Sequence, residues 1–275
     1  MQTNPTTNSK GAATMDIRLV ALDMDGTLLD SDKKQPPDFM DWVKTHPAIK
    51  TVIASGRQYY TLVKDFLPIR DQLIYVAENG GIVFERDNVI YLNEMQKTDI
   101  KNCLDLIDRT DGTIPVICGA KSAYMRPSDD SVLREVAMYY SHLQQTPDLQ
   151  EAAFQDTIVK IAVFVERKMA ESAIRHFTEI AGHLSAVLSG DSWIDIANRT
   201  VNKGVAVAAI QEKYGIAPEE SMAFGDYLND TELLQSCGES YCMANGHPDL
   251  KALAKYIADS NDNNGVMKIL QQIDG

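Results

Sequence analysis

Apolar residues along the chain alternate between short strand-like runs and helix-like segments. Residues 17–22, 51–54 and 73–77 are compact apolar runs, which is typical of strands buried on both faces of a sheet. Residues 36–45 and 58–66 lie between these runs and favour helices, the first of which begins with a proline. Strands that alternate with helices indicate a parallel sheet covered by helices. The alternation resumes near the end of the chain, with helices predicted over 204–214, 231–235 and 248–255 and strands over 221–224 and 239–243.

The middle of the chain breaks this alternation. Residues 80–92 alternate apolar and polar positions around Asp87-Asn88, which predicts a hairpin rather than a helical crossover. From there to residue 188, helices and short strands follow one another in no regular order, and this mixture predicts a separate α+β module inserted into the parallel sheet. The predicted helices of the module are 96–109, 131–142 and 169–181, and its strands are 158–165, 184–188 and two short ones near 114 and 124.

We therefore expect an α/β fold with two structural units. A Rossmann-like parallel-sheet core is predicted over residues 15–82 and 190–275, with the inserted α+β module over residues 83–189. Residues 1–14 are polar and have neither the basic nor the apolar region of a signal peptide, so we expect a disordered leader there.

Composition narrows the classes of function. The chain has 275 residues, of which 44% are hydrophobic, enough for one large domain or two modest ones. Its 26 Lys and Arg against 39 Asp and Glu give a net charge of −13, which argues against a nucleic-acid or anionic-membrane surface. No apolar run approaches the roughly 20 residues of a membrane span. The four cysteines have no C-x-x-C spacing, so we expect reduced thiols and a cytoplasmic location.

Two carboxylates directly follow the first predicted strand. Asp23 and Asp25 are separated by one residue, so an extended chain would point both the same way, roughly 6–7 Å apart. Carboxylates this close repel each other unless a cation lies between them. Gly26 permits a sharp turn that exposes backbone N–H groups to an anion. The segment therefore indicates a divalent metal and a phosphate held together, with a Ca²⁺ loop or an ordinary turn as alternatives.

Three further polar clusters lie where strands of the predicted parallel sheet end, which is where open α/β sheets bind ligands. Ser55-Gly56-Arg57 offers a hydroxyl and N–H groups to an anion, or is simply a serine N-cap. Asn202-Lys203-Gly204 opens a predicted helix with a lysine that could neutralise a phosphate or be a solvated surface residue. Residues 225–230 contain two acids and an amide, which suits Mg²⁺ but also a Gly-Asp turn that caps the next helix.

Together the four clusters resemble the motifs of the haloacid dehalogenase-like hydrolase superfamily, and more narrowly its Cof-type phosphatases with a large α/β cap. The resemblance covers residues 17–269, and the inserted module lies between the second and third motifs, as in that cap type. Residues 78–81, Glu-Asn-Gly-Gly, resemble the family's Asn-Gly segment at the edge of the active site. The matching motifs are residues 23–28, 55–57, 203–204 and 225–230.

This resemblance implies a role for each matching residue. Asp23 would be the nucleophile that forms an aspartyl-phosphate, and Asp25 would be the general acid and base. Mg²⁺ would be held by the Asp23 side chain, the Asp25 backbone carbonyl and Asp226. Asp230 would orient a metal-bound water or Lys203. The phosphoryl oxygens would be bound by Ser55, the Gly56 N–H, Lys203 and Asn229.

The implied activity is Mg²⁺-dependent hydrolysis of a small phosphorylated metabolite, with sugar phosphates ahead of nucleotides or pyridoxal phosphate. The cap would close over the site and select the leaving group. Two alternatives stay open: a phosphomutase, which needs a second phosphate site in the cap, and a catalytically silent phosphate-ligand-binding protein. The sequence is compatible with a monomer or a homo-oligomer. Four polar residues on predicted cap strands are candidates for substrate contact, although we expect each at the surface: Lys121, Tyr124, Arg126 and Lys160.

Overall fold

The computed structural model describes residues 16–177, 180 and 182–273, so the leader predicted over residues 1–14 lies outside the described residues. The strands that the structure describes are β1 (Leu19–Asp23), β2 (Lys50–Ala54), β3 (Leu73–Ala77), β4 (Ile82–Glu85), β5 (Asn88–Leu92), β6 (Thr113–Gly119), β7 (Ala123–Met125), β8 (Leu143–Gln145), β9 (Ile158–Val165), β10 (Leu184–Gly190), β11 (Trp193–Asn198), β12 (Ser221–Gly225), β13 (Glu239–Met243) and β14 (Tyr256–Ala258). The α-helices are α1 (Phe39–Thr45), α2 (Tyr59–Asp65), α3 (Lys97–Ile107), α4 (Asp130–Tyr139), α5 (Leu149–Gln155), α6 (Ala170–Ala173), α7 (Lys203–Tyr214), α8 (Thr231–Gln235), α9 (Pro248–Leu253) and α10 (Gly265–Leu270). Among these helices, none combines the length and the apolar composition that crossing a bilayer requires.

Eight strands form the first sheet, in the order β14-β13-β12-β1-β2-β3-β4-β5. The first six in this order are parallel, and β4 and β5 form an antiparallel hairpin at one edge. Helices pack on both faces, so alternate residues of β1 enter two different cores: Val20 and Leu22 the one with α1 and α2, Leu19 and Ala21 the one with α7 and α8. The parallel-sheet core predicted from the sequence is confirmed.

Six strands form the second sheet, in the order β10-β11-β9-β6-β7-β8. All pairs are antiparallel except β7 with β8. Side chains of α3, α5 and α6 share a core with one face of this sheet, and Val136 of α4 packs with Trp193 on the other. This sheet and its helices are the inserted α+β module that the irregular middle of the sequence predicts.

Sheet membership displaces both predicted boundaries of the insert. Residues 82–92 form β4 and β5, which extend the first sheet by pairing with β3. At the other end, β11 lies beyond residue 190 and pairs with β9 in the second sheet. The insert therefore runs from about residue 93 to residue 198 instead of over 83–189. A hairpin pattern does not reveal which sheet it joins, because that depends on pairing with a distant strand.

Candidate active site

The site lies at the carboxyl edge of the first sheet, where three neighbouring strands end together. β1 lies between β12 and β2, and Asp23 at the end of β1 is in register with Ala54 at the end of β2. On the other side, Leu22 is in register with Phe224, one residue before the end of β12. Because parallel strands present their carboxyl ends at one edge, the segments that follow β1, β2 and β12 meet there.

Lys203 is the central cation of the site. It begins α7, its side chain is fully buried, and its Nζ donates to Oδ1 of Asp23 and to Oδ1 of Asp230, each at 2.6 Å. The next residue must be glycine, since a Cβ on Gly204 would lie 2.2 Å from the carbonyl oxygen of Glu232 in α8. This close contact between α7 and α8 places the first turn of α7, and with it Lys203, next to the acidic loop of residues 226–230 that follows β12. Lys203 is therefore not the solvated surface lysine that the sequence left as an alternative.

Asp230 holds the acidic loop after β12 in shape. Its Oδ2 accepts hydrogen bonds from the backbone N–H groups of Asp226 at 3.0 Å and Tyr227 at 3.3 Å, while its Oδ1 accepts from Lys203. Asp226 faces the turn after β1, because a Cβ on Gly26 would lie only 2.3 Å from its Oδ2. Gly26 also has a φ of +83°, so both its conformation and its lack of a side chain allow this approach.

Three carboxylates of this edge could hold a metal ion. One oxygen each from Asp23, Asp226 and Asp230 lie within 4.8 Å of one another. Burial, and then the Asp230 carboxylate, raise the pKa of Asp23 well above its usual range, against the opposing effect of Lys203. Burial raises the pKa of Asp226 to about 6, and the Asp230 carboxylate adds to the shift. A divalent cation would relieve this repulsion, and oxygen donors are the ligands that Mg²⁺ prefers, so the residues fit the metal.

The carboxylate of Asp25 has different partners from that of Asp23. Arg57 binds it through two nitrogens, with Nη2 2.6 Å from Oδ1 and Nε 3.0 Å from Oδ2, and Nζ of Lys33 lies 2.9 Å from Oδ1. Burial acts to raise the pKa of Asp25, but the hydrogen bonds from Lys33 and Arg57 outweigh it and lower the pKa. Because β1 ends at Asp23, the turn that follows the strand, rather than extended backbone, sets the position of the Asp25 carboxylate.

Ser55 and Gly56 lie in the turn after β2. Ser55 is buried and its Oγ accepts from the backbone N–H of Arg57 at 3.2 Å, whereas the residue that precedes α2 as its N-cap is Gln58. The serine N-cap alternative is therefore wrong. A Cβ on Gly56 would lie 3.0 Å from Nδ2 of Asn79, and Asn79 Oδ1 accepts from Asn229 Nδ2 at 3.3 Å. Asn79 thus connects two of the residues that the sequence predicts as phosphate-binding.

Two of the four polar cap residues expected at the surface are buried. The Tyr124 hydroxyl donates a hydrogen bond to Asp156 at 3.0 Å. Nζ of Lys160 lies 2.6 Å from Oε2 of Glu78, which directly follows β3 of the first sheet. Lys121 is exposed, and Arg126 forms a partly exposed ion pair with Asp108. The sequence contains a signal for the burial of Lys160, because this residue is the single cation within the otherwise apolar run 158–165. A charge in a fully buried strand requires a partner.

The chain is similar to known proteins over nearly its whole length. Residues 20–270 match the family model of the haloacid dehalogenase-like hydrolases. The sequence is 31% identical over 265 residues to the Escherichia coli K12 protein 5-amino-6-(5-phospho-D-ribitylamino)uracil phosphatase YbjI. The alignment covers 94% of this chain and 97% of that protein. It is 23% identical to phosphatase YwpJ of Bacillus subtilis, with 94% and 100% covered.

Two solved structures share the fold. A protein from Streptococcus mutans UA159 superposes with a TM-score of 0.79 at 25% identity, covering 93% of this chain and 98% of that chain. A haloacid dehalogenase-like hydrolase from Bacteroides thetaiotaomicron gives a TM-score of 0.80 at 21% identity, covering 94% and 100%. Since each match spans more than nine tenths of both chains, the likeness includes the insert as well as the first sheet.

Proposed function

We propose a reaction for this chain on one premise: it belongs to the haloacid dehalogenase-like hydrolase family. It is a phosphatase of that family, and its insert is the α/β cap of the Cof-type members; we call residues 93–198 the cap and the remainder the core. The proposed reaction is Mg²⁺-dependent hydrolysis of a small phosphorylated metabolite through an aspartyl-phosphate. The observation that carries it is the buried group in which Lys203 joins Asp23 to Asp230 beside Asp226.

Asp23 is the proposed nucleophile and Asp25 the proposed proton carrier. The Asp23 carboxylate forms a bond to phosphorus while the ester P–O bond breaks, and the leaving oxygen takes a proton from Asp25. Water then attacks the aspartyl-phosphate, Asp25 takes a proton from it, and inorganic phosphate leaves. Asp25 must exchange its contacts with Arg57 and Lys33 for the leaving oxygen, because a carboxylate held by two cations is a poor acid.

The metal would be held by Asp23 and Asp226, with the Asp25 backbone carbonyl as the third predicted protein ligand. When bound, Mg²⁺ supplies positive charge to the phosphoryl oxygens. Asp230 is the better candidate for an orienting residue, because both of its oxygens already accept hydrogen bonds from Lys203 and the loop backbone. The proposed contacts to the phosphoryl oxygens are the Ser55 hydroxyl, the Gly56 N–H, Lys203 and Asn229.

The leaving group we propose is a small polyhydroxylated one. The name of the E. coli relative specifies a 5-phospho-D-ribitylamino group, which is a phosphate ester of a sugar-alcohol chain. This supports sugar and sugar-alcohol phosphates ahead of nucleotides or pyridoxal phosphate. The net charge of −13 disfavours a nucleic-acid partner, and a cytoplasmic location stays a prediction from the sequence.

The test is Mg²⁺-dependent release of inorganic phosphate from a panel of esters. The panel contains hexose and pentose phosphates, ribityl phosphates, nucleotides, pyridoxal phosphate and a chromogenic aryl phosphate. Asp23→Asn should abolish turnover, because an amide cannot form the acyl phosphate, whereas Asp32→Asn at an exposed ion pair nearby should not change it. If purified wild-type protein released phosphate from no ester with any divalent metal, the proposal would be wrong.

A further inference from the structure

A charged cluster is buried where the cap meets the core. Lys160 of β9 is 4% exposed, and its Nζ lies 2.6 Å from Oε2 of Glu78, a core residue that is also 4% exposed. The same Nζ donates to Oδ2 of Asp195 on β11 at 3.2 Å. The lysine therefore has one carboxylate partner in the core and one in its own cap. No step of the proposed reaction uses any of these three side chains.

Glu78 begins a core segment that contacts two of the site motifs. Glu78, Asn79 and Gly80 have φ values of +51°, +55° and +99°, and two such non-glycine residues in succession need support from their surroundings. Asn79 supplies part of it through Gly56 and Asn229. A Cβ on Gly80 would lie 2.2 Å from the carbonyl oxygen of Asn202, directly before Lys203. The segment 78–81 is thus packed between the proposed phosphate-binding residues.

The start of β9 lies against the same segment. A Cβ on Gly81 would lie 3.2 Å from Cβ of Val159, and Val159, although it belongs to a cap strand, packs into a hydrophobic core of the first sheet. The adjacent Lys160 adds the ion pair with Glu78. A displacement of the cap would therefore either break this ion pair or move a segment that touches Gly56, Asn229 and Asn202.

We propose that Lys160 is a positioning residue: through Glu78 it holds the cap on the core in the arrangement that favours substrate binding. This inference rests on the proposed function, since the arrangement matters only if a phosphate ester binds beneath the cap. An ion pair between Lys160 and Glu78 is compatible with a contact that opens and closes. When the two modules separate, water can solvate both charges, so neither one stays buried and unpaired. Asp195 stays with Lys160 when the contact opens, so the lysine keeps a partner in the cap.

The two carboxylates that share Lys160 supply a matched pair of variants. Glu78→Gln preserves the shape of the side chain, removes the cap-to-core ion pair and leaves Lys160 neutralised by Asp195. Asp195→Asn makes the same chemical change on the same lysine but leaves the pair with Glu78 intact. Both variants should fold, and their melting temperatures serve as the check. The proposal requires that only Glu78→Gln loosens the cap.

The first measurement is hydrogen exchange of the full chain without any ligand. The amides of Glu78 and Asn79 are bonded to the carbonyl oxygens of Arg57 and Ser55, so their protection reports on the segment itself. We expect Glu78→Gln to increase exchange of these amides and of the start of β9 by at least about 5-fold, and Asp195→Asn to leave it unchanged. Because no substrate is present, this result does not depend on the proposed function.

The second measurement is steady-state kinetics on the ester that the wild type hydrolyses best. When fewer molecules hold the binding-competent arrangement, apparent affinity falls by that fraction, so Glu78→Gln should raise KM by about 5- to 10-fold with kcat changed less than about 2-fold. Asp195→Asn should change neither. Equal effects of the two variants on exchange and KM, or no effect of Glu78→Gln on either, would overturn the proposal. If the wild type hydrolyses no ester, the proposed function fails. The hydrogen-exchange result still decides whether the ion pair between Lys160 and Glu78 holds the cap on the core.

Discussion

At the scale of single residues, the site depends on one buried lysine that serves two carboxylates. Lys203 lies 2.6 Å from both Asp23 and Asp230, and all three side chains are almost completely buried. Ions buried in this way are tolerated only when each has a partner and its remaining hydrogen-bonding groups are satisfied. Lys203 is thus as important for the stability of the buried carboxylates of Asp23 and Asp230 as for the proposed chemistry.

Replacement of Lys203 should therefore cost both activity and stability. Lys203→Met would leave Asp23 and Asp230 buried without their cation, and we expect a loss of about 3–5 kcal/mol in the free energy of unfolding. Lys213→Met on the exposed end of the same helix is the control, and it should change stability by at most about 1 kcal/mol. Urea unfolding of the three proteins measures the loss of stability, and Mg²⁺-dependent phosphate release measures the loss of activity. A similar loss for the two variants would show that the buried pairs do not matter.

The metal should stabilise the protein in a pH-dependent way. The folded-state pKa of Asp226 is raised to about 6, so the stability it contributes is fully present below the unfolded pKa of about 4 and is lost as pH rises through 6. In EDTA, unfolding free energy should therefore fall across this window, and Asp226→Asn should make the fall shallower. Mg²⁺ should restore stability more at pH 7, where the Asp226 carboxylate is ionised, than at about pH 5, and hardly at all in Asp226→Asn. Equal Mg²⁺ stabilisation of wild type and variant would place the metal elsewhere.

The sequence was a good guide to residues that follow buried strands and a poor guide to what lies beyond a turn. Asp23 and Asp226 meet because parallel strands end at one edge, and this follows from the order of the elements alone. The partners of Asp25 depend on the path of the turn after β1, which brings Lys33 and Arg57 to it. The apolar run around Lys160 signals a buried charge, but its partner Glu78 depends on contact between two modules, which no local pattern encodes.

At the scale of elements, one helix contact positions the central cation. Gly204 in the first turn of α7 lies against the carbonyl oxygen of Glu232 in α8, with room for no side chain. The sequence predicts both helices nearly correctly, over 204–214 and 231–235, but their distance of approach appears only in the structure. Other short elements, such as β14 and α10, were not predicted, because segments of three to six residues have too few positions to show a period.

Gly204→Ala should accordingly weaken the fold and the site together. The new Cβ would lie 2.2 Å from a backbone oxygen, so α7 must shift, and we expect a loss of about 1–3 kcal/mol. The shift would also carry Lys203 away from Asp23, so activity should fall more than stability alone explains. Gly182→Ala is the control, because a Cβ there meets nothing within 4 Å. Thermal unfolding and phosphate release measure the two effects; unchanged activity in a folded Gly204→Ala protein would contradict the coupling.

At the scale of the whole molecule, the residues proposed for catalysis and the module proposed to select the leaving group lie in different parts of the chain. Every residue with a proposed role in catalysis or phosphate binding lies in the core, at the ends of β1, β2 and β12 or at the start of α7. The cap is joined to the core by two connections, near residues 93 and 199. We therefore propose that the leaving group is chosen by the cap and that catalysis is independent of which cap is present.

Exchange of the cap for that of a relative with another preference tests this division, and the sheet pairings dictate where the chain must be cut. Junctions at residues 83 and 189 would remove β4 and β5 from β3 and leave β11 behind without β9, so that chimera should not fold. Junctions near 93 and 199 keep both sheets whole. The resulting chimera should rank phosphate esters by kcat/KM as the donor of the cap does, while still requiring Asp23 and Mg²⁺. A folded chimera that kept the original ranking would show that the core selects the substrate.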